Sequence, residues 1–412
     1  MSVLPEELVE VIIDFLKDDK ESLRSCFLSA RCFVERARIH IFHDIVISSH
    51  RRLKMLLVLF GVSPSLPSTI HTIKFSGQTF IDPADWIFTD NTTRCVFQSL
   101  SNVEEVFIEN VRIPRLSDNV SPSSIFPFQQ HIRRLGLDDL ILENGDDLFT
   151  LLCAFPSVKY LNFGFVLFQN PQSTMATFPS PPQELRLETL ELQFSYNINH
   201  SAMLFLREHF ADILSVLKHL RVTYMTSHEL QLVRLILSQT RGSLITMYIG
   251  PMILGNAESQ QHANDPILLL SLSHIEYLTI VLDETDPHIS PLKYWTENFA
   301  TDDEDFKLRE LTINLKVHVE QSDSAFSASF PLAAQWSALE AALCRSQMKN
   351  LCRVNLNLTA DSGSGYDPQW MTLFARLKGI IEENCQLLMS RHILRVGKSL
   401  SFTPDVDLTT IC

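Results

Sequence analysis

A six-residue pattern recurs along residues 70–356 and constrains the fold of this 412-residue chain more than any other feature. Each copy has apolar residues at its first, fourth and sixth positions, as in Leu187–Leu192 and Leu308–Ile313. Apolar residues two positions apart indicate a short strand with one buried face. We take the fourth position of each of the ten copies as its anchor, which gives Ile73, Val106, Leu135, Leu161, Leu190, Leu220, Met247, Leu278, Leu311 and Val354.

The spacing of these anchors predicts a stack of similar units. Successive anchors are 26 to 33 residues apart, with a last step of 43. Helical candidates lie between them at 146–155, 201–216 and 227–240. One strand and one helix per unit predict an α/β fold in which parallel strands stack into a solenoid. A non-repetitive α/β domain is the alternative, because it also alternates strands with helices. We favour the solenoid, since ten copies are hard to obtain by chance.

The repeated region resembles divergent leucine-rich repeats. That family has the pattern Leu-x-x-Leu-x-Leu at a step of about 20–29 residues. The steps here are longer and irregular, and Glu109 and Asp138 stand near the position that the family usually gives to asparagine. The resemblance implies that residues 49–400 form an irregular leucine-rich-repeat-like solenoid with a parallel sheet. We expect residues 401–412 to be a flexible tail.

Residues 1–47 differ from the repeats and predict three short helices. The first predicted helix follows Pro5, and Ser22 is a candidate start for the second. Residues 45–47 predict a short buried strand. Three helices in so short a segment bury too little apolar surface alone, so this unit needs a partner. One amphipathic stripe is predicted on the first helix, formed by Leu8, Val11, Ile12, Phe15 and Leu16.

The order of residues in this segment resembles the F-box. The match rests on Leu4-Pro5, Ser22-Leu23, Arg31-x-Phe33 and the apolar positions between them, and Ser29-Ala30 departs from many members. An ordinary helical cap is the alternative. The resemblance implies that residues 1–48 form a three-helix F-box that docks on a Skp-type adaptor and, through it, on a cullin. By carry-over, the adaptor contact would come from Leu4, Pro5, Leu8, Ile12, Leu16, Leu23 and Leu28.

On the solenoid interpretation, the polar residues between strand anchors face outward on the concave surface, which solenoids use for binding. Plain solvation is the alternative for each of them. The candidate target-binding residues are Lys74, Glu109, Asn162, Glu191, Gln193, Arg221, Thr223, Tyr248, Thr279, Thr312, Asn314, Asn355 and Asn357.

Charge and motifs exclude several classes of function. The chain has 48 acidic and 34 basic residues, a net charge of −14, which argues against nucleic acid or anionic membranes as partners. Glycine is scarce, at 12 residues, and no phosphate-loop motif is present. His40 and His43 are three residues apart on a predicted helix and could form a metal-binding pair. We predict instead that they lie on a solvated face, and we expect Asp44 to point away from them. We therefore predict no catalytic residue, no metal and no cofactor.

The sequence also indicates an intracellular protein. No basic, apolar secretory signal is evident at the N-terminus, and the longest apolar run, Met55–Val62, is short for a membrane span. The cysteines form no Cys-x-x-Cys pair, and we expect them to be reduced and buried. These features predict a cytoplasmic or nuclear location and no membrane partner.

Three functions remain open from the sequence. The first is a non-catalytic substrate-recognition subunit of an SCF-type ubiquitin ligase, with the repeats holding an unknown target protein. The second is an interaction scaffold with no ubiquitin-ligase role. The third is an enzyme on an α/β fold, which predicts clustered titratable residues in a pocket.

Overall fold

The computed structural model describes residues 5–77, 86–113, 129–170, 185–193, 211–223, 227–252, 269–283, 291–301, 305–317, 333–360 and 368–398. These residues form an α/β fold that divides into two compact units. Unit 1 comprises residues 1–186 and 197–205, and unit 2 comprises residues 187–196 and 206–412. Leu4, most of the predicted helix at 201–216 and the predicted tail lie outside the described residues.

Unit 1 begins with three helices and an edge strand: α1 (Glu6–Phe15), α2 (Lys20–Ser29), α3 (Arg31–His43) and β1 (Asp44–Ile47). Asp19 caps α2, because its Oδ1 accepts hydrogen bonds from the backbone nitrogens of Glu21 at 3.2 Å and Ser22 at 3.0 Å. The helix therefore starts before the predicted Ser22. The predicted strand exists as β1, but only Ile47 is buried in it, because β1 lies at the edge of its sheet.

The core of the three helices is small. Ile13, Leu23 and Ala37, one from each helix, have no exposed surface and pack together. Partly buried apolar residues surround them: Leu16, Cys26, Phe27, Phe33 and Ile41. Each helix thus contributes to a common apolar centre.

The rest of unit 1 alternates helices with strands. Its further helices are α4 (His50–Val62), α5 (Trp86–Thr89), α6 (Asn91–Ser99) and α7 (Gly145–Cys153). Its further strands are β2 (Thr72–Ser76), β3 (Glu105–Arg112), β4 (Arg134–Leu142), β5 (Tyr160–Phe163) and β6 (Val166–Phe168). Short 3₁₀ turns span Leu66–Thr69 and Gln129–His131. The strand order is β1-β2-β3-β4-β5, with β6 also paired to β4, and these pairings are parallel.

Unit 2 repeats this plan. Its strands are β7 (Thr189–Gln193), β8 (His219–Thr223), β9 (Thr246–Ile249), β10 (Tyr277–Asp283), β11 (Glu310–Val317), β12 (Arg353–Ala360) and β13 (Leu394–Lys398). Its helices are α8 (Ala211–Leu214), α9 (Ser227–Gln239), α10 (Pro291–Thr301), α11 (Ala333–Leu343), α12 (Pro368–Asn384) and α13 (Gln386–Ser390), with a 3₁₀ turn at Ser346–Met348. The strands pair in parallel and in sequence order from β7 to β13.

All ten predicted anchors lie on strands, and the anchors of each unit share one register. In unit 1, Ile73 pairs with Val106, Val106 with Leu135 and Leu135 with Leu161. In unit 2, the corresponding column runs from Leu190 to Val354. Every anchor is at most 1% exposed, so these columns form the buried face of the strands in each unit. The predicted α/β fold with parallel strands is confirmed, as are the predicted helices at 146–155 and 227–240.

Two strands that we did not predict as repeats extend these columns. Ile45 of β1 pairs with Ile73, and Leu394 of β13 pairs with Val354. Phe42–Ile47 does carry the full six-residue pattern, whereas Arg391 occupies the first apolar position of the last copy. The division between the compact units falls near residue 187, inside the span predicted as one solenoid, and residues 1–48 belong to unit 1.

Candidate docking surfaces

One side of α1 is an exposed apolar stripe. Leu8 and Val11 are each 50% exposed, Ile12 is 44% exposed and Phe15 is 85% exposed. These residues follow the spacing i, i+3, i+4, i+7, which places them on one side of a helix. We name this set the α1 surface. It offers apolar anchors of the kind that fill a groove on a partner.

A second apolar stripe on α1 faces inward. Val9 and Ile13 are buried, and Leu16 packs against the core of the three helices. The prediction of one stripe containing both Phe15 and Leu16 was therefore wrong. The helix has two apolar sides, because 100° per residue separates Leu8, Ile12 and Phe15 from Val9, Ile13 and Leu16.

The residues predicted to contact an adaptor separate by exposure. Pro5, Leu8 and Ile12 are exposed on or next to α1, and Leu28 at the end of α2 is 83% exposed. Leu16 is half-buried, and Leu23 has no exposed surface because it fills the space between Ile13 and Ala37. In this conformation Leu23 supports the helices and presents no surface to a partner.

Asp14 holds α1 against α3. Its carboxylate accepts hydrogen bonds from Arg36 Nε at 2.6 Å and Nη2 at 2.7 Å, and its Oδ1 lies 2.7 Å from His40 Nε2. The hydrogen bonds from Arg36, and then from His40, hold the pKa of Asp14 well below its usual range. His43 Nδ1 similarly lies 2.7 Å from Asp44 Oδ1. The prediction of a solvated face was therefore wrong for His40, whose side chain is 18% exposed, whereas the side chain of His43 is 46% exposed. The prediction that Asp44 points away from the histidines was wrong, because Asp44 contacts His43.

The candidate target-binding residues lie on one face of the sheets, which we name the polar sheet face. In unit 1, Lys74 aligns through Phe107 and Gly136 with Asn162. In unit 2, Glu191, Arg221, Tyr248, Thr279, Thr312 and Asn355 form one continuous row. Two shorter alignments lie on the same face: Gln193 is paired with Thr223, and Asn314 with Asn357. The strand register thus brings together residues that are far apart in sequence.

An aromatic and cationic cluster on this face of unit 1 was missed by sequence reasoning. The guanidinium carbon of Arg134 lies 4.1 Å from the centre of the Tyr160 ring and 5.7 Å from that of Phe107. Gly136 makes room for Phe107, because a Cβ at Gly136 would lie 2.3 Å from its Cδ1. The side chain of Arg134 remains 37% exposed. Arginine and aromatic residues are frequent anchors of protein interfaces, and only the register reveals that these three meet.

The polar sheet face of unit 1 ends in carboxylates. Lys74 Nζ lies 2.7 Å from Glu109 Oε2, so these two candidate residues pair with each other. Asp138 Oδ1 accepts hydrogen bonds from the backbone nitrogens of Asp139 at 3.0 Å and Phe165 at 3.1 Å. Asp139 has a φ of 49°, and burial followed by the charges of Asp138 and Glu109 raises its pKa.

Two of the candidate residues in unit 2 are largely buried. Arg221 is 5% exposed and Tyr248 is 7% exposed. Arg221 Nε lies 3.1 Å from Glu191 Oε1, and its guanidinium carbon lies 4.5 Å from the centre of the Tyr248 ring. The expectation that Arg221 and Tyr248 offer outward binding surface was therefore wrong, because they pack on each other across neighbouring strands.

The asparagines of unit 2 hydrogen-bond along the face. Asn355 Nδ2 donates to Glu310 Oε1 at 2.6 Å, and Asn357 Nδ2 donates to Asn314 Oδ1 at 2.9 Å. These side chains remain partly exposed. These amides link neighbouring strands, so a partner would meet side chains that already make at least one hydrogen bond within the sheet.

In the part of the chain that the structure describes, no three histidines, cysteines, aspartates or glutamates are arranged to hold a metal ion. None of its helices combines the length and apolar character needed to cross a bilayer. Its cysteines are free, and Cys32, Cys95 and Cys352 are exposed, which the expectation of burial did not foresee. Comparison with protein-family models and with curated proteins found no match for this chain.

Proposed function

We propose that this chain is a non-catalytic substrate-recognition subunit of an SCF-type ubiquitin ligase. Its F-box-like helices would bind a Skp-type adaptor that is attached to a cullin, and the polar sheet face would bind a target protein. The observation that carries the proposal is the α1 surface, an exposed apolar stripe on a three-helix segment whose sequence resembles the F-box.

Exposed apolar side chains favour a partner for these helices. Phe15 of the α1 surface is 85% exposed and Leu28 at the end of α2 is 83% exposed, so both leave large apolar groups in water. Covering such a side chain contributes about 1.5–3 kcal/mol when its burial is complete. Glu6, Glu7 and Glu10 are exposed on the same helix, so a partner groove with cationic edges would fit best.

The divergent leucine-rich-repeat assignment is part of the same proposal. Parallel strands in sequence order with intervening helices support it. On this basis the Phe107–Arg134–Tyr160 cluster is the best candidate for the centre of target binding in unit 1, because it combines ring surface with an accessible cation. Lys74, Glu109 and Asn162 would then lie beside it.

The adaptor part of the proposal is tested by co-purification and titration with a Skp-type adaptor. We expect the full chain to bind it and the triple variant Leu8→Ala, Ile12→Ala, Phe15→Ala to bind at least 10-fold more weakly. The matched control is Met371→Ala, which truncates a side chain that is 50% exposed on α12. Absence of wild-type binding, or equal binding by the triple variant, would overturn the proposal.

The receptor and scaffold hypotheses differ in what happens to a bound protein. A receptor holds its target near the ubiquitin-loaded enzyme. This raises the effective concentration of the target at that enzyme and so directs ubiquitin onto it. We expect reconstituted adaptor, cullin and RING subunits with this chain to modify a captured protein, and the triple variant to abolish that modification. Binding of both adaptor and target without any ubiquitin transfer would favour the scaffold.

A further inference from the structure

Helix α4 carries a second exposed apolar stripe, separate in sequence from α1. Met55, Val58, Leu59 and Val62 are 56%, 67%, 41% and 79% exposed. Their spacing is i, i+3, i+4, i+7, so they form one side of the helix. Leu53, Leu56 and Phe60 are buried and attach the other side of α4 to unit 1. The exposed stripe is therefore additional to what the fold of this unit requires.

Cations border this stripe. Arg51 lies one turn before Met55 on the same side, and Arg52 and Lys54 flank it. His50 is paired with Asp90. A hydrogen bond from the backbone of Thr92 lowers the pKa of Asp90, and the positive charge of Lys54 also lowers it. Within the described residues, Arg51 and Arg52 form no ion pair. No aspartate or glutamate occurs between Asp44 and Asp82, in a chain whose net charge is −14. The surface of α4 is thus locally basic on an acidic protein.

A groove accompanies the stripe. It has a volume of about 600 Å³, and the described residues that line it are His50, Arg51, Lys54, Met55, Val58 and Leu59. Its position joins the basic first turn of α4 to the apolar stripe. The surface inside the groove is almost wholly apolar. An occupant would therefore meet apolar surface in the groove and cationic groups at its edge.

We propose that this α4 surface is a docking site for an acidic amphipathic segment of a partner protein, with apolar side chains over Met55, Val58 and Leu59 and carboxylates beside Arg51 and Lys54. The sign of the charge selects the partner, because carboxylates gain from these cations while basic segments are repelled. Glu6 and Glu7 lie in the first turn of α1, beside the α1 surface, so the two surfaces favour partners of opposite charge.

A protein segment fits this surface better than a lipid bilayer. An amphipathic helix with cations could also bind anionic lipid. However, the net charge of −14 repels an anionic membrane.

The test uses a fluorescent synthetic peptide with leucines at i, i+3, i+4 and i+7 and glutamates between them. Its binding to the full chain is followed by anisotropy. We expect saturable binding that weakens with salt, and at least a 10-fold loss in Val58→Asp and in Arg51→Glu combined with Lys54→Glu. Met371→Asp, at an apolar position in unit 2 that is 50% exposed, should bind as the wild type does. Leu8→Ala combined with Ile12→Ala should also retain binding, which separates this site from the adaptor surface.

Several outcomes would overturn the proposal. They are absence of saturable binding, equal binding of a peptide with lysines in place of the glutamates, and unchanged binding in both α4 variants. Vesicles of phosphatidylcholine with phosphatidylserine are the lipid comparison. The stripe would be assigned to lipid if the wild-type chain floats with these vesicles, Val58→Asp does not, and the peptide does not bind. Circular dichroism of each variant establishes that a loss of binding does not reflect unfolding.

Discussion

The carboxylate of Asp14 in α1 accepts two hydrogen bonds from Arg36 in α3, at 2.6 and 2.7 Å. This bidentate pair fixes the rotation of α1, because Asp14 lies next to Ile13 on the inward side. The outward direction of Leu8, Ile12 and Phe15 depends on that rotation. A polar contact between two helices thus positions the apolar stripe to which we assign adaptor binding.

Asp14→Asn should lower the free energy of unfolding by about 1 kcal/mol, since the pair is partly solvated and screened. The pKa of Asp14 is lowered in the folded protein, so its contribution is complete above the unfolded pKa of about 3.9. It is lost as the pH falls from there through the folded pKa. Urea titrations between pH 7 and pH 3 measure the free energy of unfolding of the wild type and of Asp14→Asn. A difference between the two proteins that is the same at pH 3 as at pH 7 would contradict the prediction.

Leu23→Ala should destabilise unit 1 by about 2–5 kcal/mol, because the leucine is fully buried between Ile13 and Ala37. Leu28→Ala should change stability by less than about 0.5 kcal/mol, because Leu28 is 83% exposed. Thermal and urea unfolding compare the two variants directly. Equal losses of stability would show that exposure does not distinguish these residues.

Gly136→Ala should cost about 1–3 kcal/mol, because the new Cβ would lie 2.3 Å from Cδ1 of Phe107 and force its ring away from Arg134. Gly379→Ala on α12 is the control, since nothing lies within 4 Å of its added Cβ, and it should stabilise the helix by about 0.5–1 kcal/mol. Denaturation of both variants measures the difference. A neutral Gly136→Ala would mean that Phe107 moves freely.

The buried pair of Arg221 and Glu191 should be coupled more strongly than the exposed pair of Lys218 and Glu188. The side chains of Arg221 and Glu191 are 6% and 13% exposed, whereas those of Lys218 and Glu188 are 49% and 33% exposed. Double-mutant cycles with alanine should give a coupling energy of about 1.5–3 kcal/mol for the first pair. The second should give less than about 1 kcal/mol. Similar values in the two cycles would contradict the role assigned to burial.

Asp139→Asn should stabilise unit 1 at neutral pH. The pKa of Asp139 is raised by burial and by Asp138 and Glu109, so the folded state disfavours its charged form. The penalty is absent below the unfolded pKa of about 3.9 and develops as the pH rises through the folded pKa. Asparagine also tolerates the positive φ of 49°. Stability measured at pH 3.5 and pH 7 should show a benefit only at the higher pH.

The strand columns could be predicted because the apolar period of two residues survives in every copy, from Ile73 to Val354. The polar sheet face followed from the same alternation. Arg134 and Tyr160 hold the same position in successive copies, as do Arg221 and Tyr248, so aligning the copies places each pair on neighbouring strands. The alignment does not show that the two side chains of each pair stack on each other, because that depends on their rotamers and on the packing around them.

Periodicity also failed where both sides of a helix are apolar. On α1 the pattern predicted a single stripe and mixed Leu16 with Phe15, whereas the structure separates them. On α4 the run Met55–Val62 indicates only an apolar segment that is short for a membrane span, although five of its eight residues are exposed. Which apolar side packs inward depends on neighbouring elements, and the sequence of one helix does not contain that choice.

Within each unit the anchors keep one register, although the distance between neighbouring anchors varies from 26 residues in unit 1 to 43 in unit 2. Buried strands therefore determine where the chain returns to the sheet, and the connections absorb every difference in length. Lengthening a connection adds little closure entropy, about 0.6 kcal/mol for each doubling. Related chains could thus gain or lose long stretches between strands and acquire new partners there, while the sheet beneath them stays the same.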